Sequence, residues 1–313
     1  MRKYIDANII HNTKKMTKEE WLQARKKGIG GSDAASVLGL NPYKSYVSVY
    51  MDKIYEDKES LKETSYNMKL GNKLKNFVAN EFTSITGKKV RSINGILKNE
   101  KYPYALGNID KSVVGEKAFL ECKVTNSYSK KLWKKEIPIH YQIQCYHYMA
   151  ISGASHCYVA ALIGNEDFVI HKLERNEEFI YKIMELEKIF WEKYILDNNI
   201  PMPDGSDDYS KMIKDMYKYS KENTLILFEK EDILNRYDEL NKIKKDIENE
   251  KKIIEQNIQL QMKDYEVAYI GNRKITWKNV RKNILDTRSI KKEHPELVNN
   301  FMKTTTSRVF KIN

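Results

Sequence analysis

The sequence predicts an α/β protein with a central mixed sheet flanked by helices, followed by a mainly helical appendage. Three observations lead to this fold class. Helical and strand-like periodicities alternate over about the first 200 residues, a Pro- and Gly-containing segment interrupts them at 201–205, and a long amphipathic pattern follows. With 313 residues, of which 41% are apolar, the chain can bury a core of this kind.

Helical patterns fill most of the chain before residue 90. Thr17 precedes Glu20 by three positions, which is the spacing of a capping box at a helix start. In the Gly-rich turn GIGGSDAA, Ser32 or Asp33 can cap the helix that follows. The expected helices lie at 17–27, about 32–38, about 45–55 and 67–86.

Strand-like patterns begin at Lys89. The first three expected strands look like an antiparallel series, and the last two look like a hairpin around Gly164. Two further helices are expected at His140–Ser152 and Glu177–Leu196. The expected strands are Val90–Lys98, Ala105–Val114, Ala118–Thr125, Cys157–Ile163 and Asp167–Leu173.

The segment Pro201–Gly205 is the best linker in the sequence, so we expect one domain at 1–200 and an appendage at 205–313. Apolar residues recur at three- and four-residue steps from Ile233 to Ile258, which predicts a long amphipathic helix of the kind that forms coiled-coil arms. A small β tail is expected to complete the appendage, with strands at Val267–Ile270, Lys274–Lys278 and Arg308–Ile312.

The balance of charge favours a polyanionic partner, because 55 Lys and Arg residues against 43 Asp and Glu give a formal net charge of +12. A Lys-, Ile- and Asn-rich composition would give the same surplus, so the charge only supports this interpretation. The three cysteines, Cys122, Cys145 and Cys157, have neither the number nor the spacing of a disulfide framework. No apolar run is long enough to span a membrane and no signal-peptide pattern opens the chain, so we expect a cytoplasmic protein.

A carboxylate motif carries the chemistry. Asp110 is followed after ten residues by Glu121, Cys122 and Lys123. Alternate residues of a strand share a face, so Glu121 and Lys123 point together and a neighbouring strand can bring Asp110 beside them. Two carboxylates and the Cys122 backbone carbonyl would bind Mg²⁺, with Mn²⁺ as the alternative ion. Alone the motif is weak, because a surface ion pair uses the same residues, but the apolar surroundings of Glu121 favour a site.

Five segments in this order resemble YqaJ-like viral recombinases, which are relatives of bacteriophage lambda exonuclease: GIGGSDAASVLGLNPYKS, LGNKLKNFVANEF, ALGNIDKSVVG, LECKVTNSY and HYQIQCYHYMAISG. The resemblance covers about residues 18–200 and implies a PD-(D/E)XK restriction-endonuclease-like core. It implies a Mg²⁺-dependent exonuclease that degrades one strand of linear double-stranded DNA from the 5′ end. The remaining 3′ single strand would pass to a single-strand annealing protein of the RecT/Bet type. A homo-oligomer, with a trimer favoured, and a phage or prophage origin in a bacterial host are also implied.

The resemblance assigns roles to particular residues. By position, Asp110 is the metal-binding aspartate, and Glu121 and Lys123 are the ExK pair. Gln142 is the first glutamine of a QxQ helix and supports the site. The arginine and serine that hold the terminal 5′ phosphate fall on Arg25 and Ser32. These last two also suit the role chemically, because a guanidinium binds phosphate bidentately and a Gly-rich helix start offers N–H groups to an anion.

One position departs from the family pattern. Where the family has a glutamate four residues beyond the glycine of its GN turn, this sequence has Lys75 after Gly71. Two interpretations follow: either Asp110 and Glu121 suffice and Lys75 contacts DNA phosphate, or catalysis is impaired. The second would leave a nuclease-fold protein that binds DNA or a protein partner. A structure-specific endonuclease is a third interpretation.

Overall fold

The computed structural model describes residues 3–55 and 66–312. The chain divides into two compact units, Met1–Tyr217 and Lys218–Asn313. The first unit contains the larger sheet and the second contains a long helix with a small hairpin. Among the described residues, no helix combines the length and apolarity that crossing a membrane requires.

Six helices of the first unit lie close to their predicted positions, whereas α5 and α8 were not predicted. At the start of the first helix, the Thr17 hydroxyl accepts the Glu20 N–H at 3.2 Å and the Glu20 carboxylate accepts the Thr17 N–H at 2.8 Å, so the predicted capping box is confirmed. The described α-helices of this unit are α1 Lys18–Lys26, α2 Gly31–Val37, α3 Tyr46–Ile54, α4 Tyr66–Thr86, α5 Lys130–Lys135, α6 Ile139–Ser152, α7 Glu177–Phe190 and α8 Asp207–Met216.

The strands form one five-stranded sheet and two smaller ones. They are β1 Lys3–Tyr4, β2 Ala7–Asn12, β3 Ile29–Gly30, β4 Val90–Ser92, β5 Gly95–Lys98, β6 Ala105–Leu106, β7 Lys111–Val113, β8 Ala118–Thr125, β9 His156–Ile163 and β10 Asp167–Glu174. The order in the large sheet is β10-β9-β8-β7-β4, with β8 and β9 parallel and the other pairs antiparallel. The predicted mixed sheet is therefore confirmed. The hairpin of β9 and β10 is also confirmed, with Gly164 at a φ of 58°.

Strand β8 is covered by helices on both faces. Phe119 belongs to the buried cluster that contains Met149 of α6, whereas its neighbour Leu120 packs with Phe82 of α4. Because successive side chains of a strand point to opposite faces, odd-numbered residues of β8 face α6 and even-numbered residues face α4. This alternation fixes where the charged residues of β8 can point.

Two predicted strands are wrong in their extent. Val90–Lys98 is divided into β4 and β5, which belong to different sheets, and Asn94 between them has a left-handed φ of 51°. Ala105–Val114 is divided into β6 and β7, because the backbone of Gly107 turns to pair with that of Leu97 at 2.8 and 2.9 Å. Strand propensity gives no information on which partner each half of a segment will find.

The boundary between the units lies after Tyr217 rather than in the predicted linker. Tyr209 and Met212 of α8 are buried in one cluster with Val47 of α3, so α8 belongs to the first unit. The segment 201–205 is therefore a connection within this unit. The predicted division into 1–200 and 205–313 differs from the observed one, which lies after Tyr217.

The second unit contains the predicted long helix. Its elements are α9 Glu231–Met262, β11 Val267–Ile270, β12 Arg273–Thr276, α10 Thr287–Glu293 and α11 Pro295–Phe301. The predicted last strand at Arg308–Ile312 is wrong, because the structure has no strand over these described residues and β11 pairs only with β12. Without a partner strand, a β-prone segment has no backbone hydrogen bonds to gain from an extended conformation.

Close packing at α2 gives a stability prediction. Replacing Gly31 with alanine is expected to lower the free energy of unfolding by about 1–3 kcal/mol. The added Cβ would lie 2.6 Å from Cζ of Tyr148 and 3.1 Å from Cγ of Gln144, so a buried ring must shift. The matched change Gly71→Ala in α4 meets nothing within 4 Å and is expected to stabilise by about 0.5–1 kcal/mol. Urea unfolding measures both, and equal effects would contradict the packing argument.

Candidate active site

Strand β8 brings two charged side chains to one face. Glu121 and Lys123 both point toward α6, as the strand alternation predicts, and Lys123 Nζ lies 2.9 Å from Glu121 Oε1. Glu121 is only 3% exposed. Cys122 points to the opposite face, where it is buried with Val78 of α4. Charged groups this deep in a sheet are stable only with close partners.

Asp110 lies beside Glu121, as its position on a neighbouring segment predicts. It occupies the bend before β7, and its Oδ2 accepts a hydrogen bond from the backbone N–H of Cys122 at 3.1 Å. The antiparallel pairing of β7 with β8, in which Lys111 is opposite Leu120, holds the carboxylate in this place. The structure therefore brings together the three residues of the sequence motif.

A glutamine of α6 links Glu121 to Lys123, but it is not the one predicted. Gln144 donates from Nε2 to Glu121 Oε1 at 2.8 Å and accepts from Lys123 Nζ at 2.8 Å. Gln142 instead donates to the backbone carbonyl of Ile137 at 2.6 Å. Helix residues two positions apart do not share a face, so only one of the two can reach β8. The assignment of the site-supporting glutamine to Gln142 is corrected to Gln144.

The free oxygen of Glu121 is the feature that fits a cation. Glu121 Oε2 is buried and has no hydrogen-bond partner. Burial, with a smaller effect of the Asp110 charge, raises the pKa of Glu121, so the carboxylate is under-compensated. Oxygen ligands from two carboxylates suit a hard divalent ion. Within residues 3–55 and 66–312, however, no group of three or more His, Cys, Asp or Glu side chains could hold a metal.

Lys75 supplies a positive charge at the second carboxylate. Its Nζ lies 2.7 Å from Asp110 Oδ1. Burial alone would lower the pKa of Lys75, but the charges of Asp110 and Glu121 outweigh it and hold this pKa above its ordinary value. Lys123 is also held above its ordinary pKa, because Glu121 and Tyr141 outweigh the effect of burial. Two carboxylates thus face two ammonium groups.

Arg25 and Ser32 form a second polar group of the site. Arg25 Nη2 donates to Ser32 Oγ at 2.8 Å, and its guanidinium lies 4.8 Å from the ring centroid of Trp21. The pair lies where the C-terminal end of α1 meets the first turn of α2. The two residues predicted to hold a phosphate are therefore adjacent.

From the sequence, Asp33 was expected only as a possible helix cap. In the structure it contacts three basic side chains near the cavity. Its carboxylate is 2% exposed and contacts Arg25, Lys44 and Lys53 at 3.0–3.3 Å. It also accepts the Gly30 N–H at 3.3 Å, which caps α2 from inside its first turn. Burial by itself would raise the pKa of Asp33, but the three cations hold it well below its ordinary value. No local sequence pattern indicates this role, because the three basic residues lie 8, 11 and 20 residues from Asp33.

One cavity of about 510 Å³ joins the two groups. Arg25 and Ser32 line it from α1 and α2, and Glu121 and Lys123 line it from β8. Lys75 lines both this cavity and a neighbouring one of about 440 Å³ that contains Asp110. A ligand held by Arg25 can therefore extend toward the carboxylates.

Comparisons with known proteins show the family. Residues 20–155 match the YqaJ-like viral recombinase domain. The sequence is 36% identical over 313 residues to the uncharacterised protein YqaJ of Bacillus subtilis (strain 168), covering 98% of this chain and 97% of that protein. The chain belongs to the YqaJ family. The YqaJ domain match contains Arg25, Ser32, Asp110, Glu121 and Lys123.

Solved structures show the fold of this YqaJ-family chain. An alkaline exonuclease from Laribacter hongkongensis has a TM-score of 0.50 and 18% sequence identity, covering 64% of this chain and 99% of that chain. The same protein in complex with dAMP gives the same TM-score. The chain accordingly shares the fold of this alkaline exonuclease, in which the mixed five-stranded sheet is flanked by helices.

The buried charge of Asp33 gives a pH-dependent prediction. Because the folded-state pKa of Asp33 is below the unfolded value, its stabilisation is complete above about pH 4 and is lost as the pH falls through the folded pKa. Asp33→Asn should cost about 3–5 kcal/mol at neutral pH, because it removes the carboxylate that pairs with the buried Lys53, and much less in acid.

The control is Asp52→Asn. Asp52 also contacts Lys44, at 2.7 Å, but its side chain is 59% exposed, so a change below about 1 kcal/mol is expected. Urea unfolding at neutral and acidic pH measures both variants. A loss for Asp33→Asn that does not vary with pH would contradict the assignment of a depressed pKa.

Proposed function

We propose that this protein is a metal-dependent exonuclease that acts on the ends of linear double-stranded DNA. It degrades one strand in the 5′→3′ direction and leaves a 3′ single strand for recombination of the phage type. The observation that carries this proposal is the cavity lined by Glu121 and Lys123 together with Arg25 and Ser32, which shares Lys75 with the neighbouring cavity that contains Asp110.

The carboxylates would hold the ion. Asp110, the free Oε2 of Glu121 and the Cys122 carbonyl are the proposed ligands for Mg²⁺, with Mn²⁺ as the alternative. When bound, such an ion lowers the pKa of a water molecule and neutralises phosphate charge. The raised pKa of Lys123 keeps it protonated at neutral pH, so it stabilises negative charge on the phosphate rather than accepting a proton. Gln144 orients Glu121 and Lys123 through its two hydrogen bonds.

Arg25 and Ser32 would receive the terminal 5′ phosphate. Arg25 Nη2 and the Ser32 hydroxyl oxygen are already 2.8 Å apart, and Asp33 accepts a hydrogen bond from the same Nη2 at 3.3 Å. Because this pair and Glu121 line one cavity, a phosphate at Arg25 would position a nearby phosphodiester at Glu121. This arrangement favours action at a strand end over action within a strand.

The names of the relatives agree with this proposal. The matched domain is described as a viral recombinase domain, and the structural neighbour is an alkaline exonuclease that has been solved with dAMP. A nucleotide is also the chemical class of product that stepwise removal from a strand end would release. The net charge of +12 supports a nucleic-acid partner.

A second candidate function is DNA binding on a nuclease fold with impaired catalysis. The contact between Lys75 and Asp110 favours it, because an ammonium group already neutralises one of the two proposed ligands. The two candidates differ in whether the wild-type protein turns over DNA, and this difference can be measured directly.

Digestion of 5′-phosphorylated linear duplex DNA tests the first candidate. Wild type is expected to release nucleotides only with Mg²⁺ or Mn²⁺, and Glu121→Ala is expected to be inactive. Gln144→Ala should lose about 10–100-fold in rate, whereas Gln142→Ala, its neighbour on the same helix, should change little.

The outcomes separate the candidates. No metal-dependent product from wild type at high protein concentration would overturn the exonuclease proposal, and activity gained in Lys75→Glu would identify Lys75 as the cause. Cleavage of covalently closed circular DNA would indicate an endonuclease instead.

Assembly is proposed to involve α9. Ile233, Leu240, Ile247 and Ile254 recur every seven residues on this helix, and all four are exposed in the single chain. A repeat of this period is typical of helices that pack against one another. We propose a homo-oligomer, with a trimer favoured, and a single-strand annealing protein as the other candidate partner of the second unit.

Solution mass from light scattering tests the assembly role. Leu240→Asp combined with Ile247→Asp is expected to lower the mass toward that of one chain, because charges cannot be buried between packed helices. Lys242→Asp changes an exposed residue of the same helix outside the repeat and should leave the mass unchanged. An unchanged mass in the double variant would remove α9 from the assembly.

A further inference from the structure

We infer that Lys75 and a divalent ion compete for Asp110, so that DNA which draws Lys75 away from Asp110 strengthens metal binding. This inference rests on the proposed function and adds a form of regulation to the same site. The protein would then bind its ion more tightly when it is bound to a DNA end than when it is free.

The competition follows from the hydrogen bonds of the carboxylates. Asp110 Oδ1 is 2.7 Å from Lys75 Nζ, and Oδ2 accepts the Cys122 N–H. Glu121 Oε1 is shared between Gln144 and Lys123, which leaves Oε2 as the free oxygen of the pair. One carboxylate oxygen is a poor site for an ion that prefers six ligands. Departure of Lys75 would free Oδ1 of Asp110 from its ammonium partner and make it a better ligand for the ion.

Electrostatics point the same way. The charges of Asp110 and Glu121 are balanced by those of Lys75 and Lys123 in this site. A divalent ion would add two positive charges next to both ammonium groups, and the repulsion is strong where water is largely excluded. The departure of Lys75 reduces this repulsion and frees an oxygen at the same time.

Lys75 is the group that can move. Its side chain is 40% exposed, whereas that of Lys123 is 15% exposed and is held by Glu121, Gln144 and the Tyr141 ring. Lys75 also lines both cavities, so its flexible stem can carry the ammonium from Asp110 toward a backbone phosphate. Because coupling between two ligands is reciprocal, DNA would then raise metal affinity and metal would raise DNA affinity.

The test measures Mn²⁺ binding rather than activity, by electron paramagnetic resonance or calorimetry. Without DNA, Lys75→Met should bind Mn²⁺ more tightly than wild type. Addition of a 5′-phosphorylated duplex with phosphorothioate linkages, which resist hydrolysis, should tighten Mn²⁺ binding to wild type by about 5–150-fold. It should have little effect on Lys75→Met. Lys73→Met, which changes an exposed residue of the same helix, should behave as wild type.

Equal Mn²⁺ affinity in wild type and Lys75→Met, with or without DNA, would overturn the inference. Lys75→Gln keeps a polar side chain and replaces the methionine variant if that one does not fold. Glu121→Ala separates this failure from failure of the proposed function. If Glu121→Ala binds Mn²⁺ as well as wild type does, the proposed metal site itself is wrong. If Glu121→Ala loses Mn²⁺ binding while Lys75→Met has the same Mn²⁺ affinity as wild type, the metal site stands and only the proposed competition by Lys75 is overturned.

Discussion

Strand β8 places the charged side chains Glu121 and Lys123 in a sheet that is covered by helices on both faces. The arrangement of the site follows from the need to balance these buried charges. Glu121 is almost fully buried between strands and helices, so each of its oxygens needs a donor or a cation. Lys123 and Gln144 satisfy Oε1, and Oε2 is left free. This unsatisfied oxygen is the one that the proposed ion would bind.

Asp33 is a second buried carboxylate whose charge is balanced by close partners. A single carboxylate gathers three basic side chains at the junction of α1, α2 and α3, so that Arg25 is held next to Ser32 in a fixed geometry. The two centres are complementary, because one is a basic group organised by an acid and the other is an acidic pair balanced by two lysines. A cavity between them suits a polyanion whose charges repeat along a chain.

Lys75 places a positive charge against Asp110, and this contact is separate from the packing that positions its helix. The helix α4 that carries it packs against β8 through Val78 and Phe82, and those contacts do not depend on the charge one turn earlier. The ion pair with Asp110 is therefore separate from this packing, and it occupies an oxygen of a carboxylate that we propose as a metal ligand.

The sequence alone determined the elements whose signals are local. Strand alternation placed Glu121 and Lys123 on one face, Thr17 and Glu20 marked the start of α1, and the heptad-spaced residues marked α9. Tertiary structure decided the rest. Gln144 rather than Gln142 reaches β8 because of the helix face that meets the sheet. Asp33 joins cations from α1, from α3 and from the loop before α3, because these segments pack around α2. Which side chains meet in this way is set by packing between segments far apart in sequence, and local periodicity does not specify that packing.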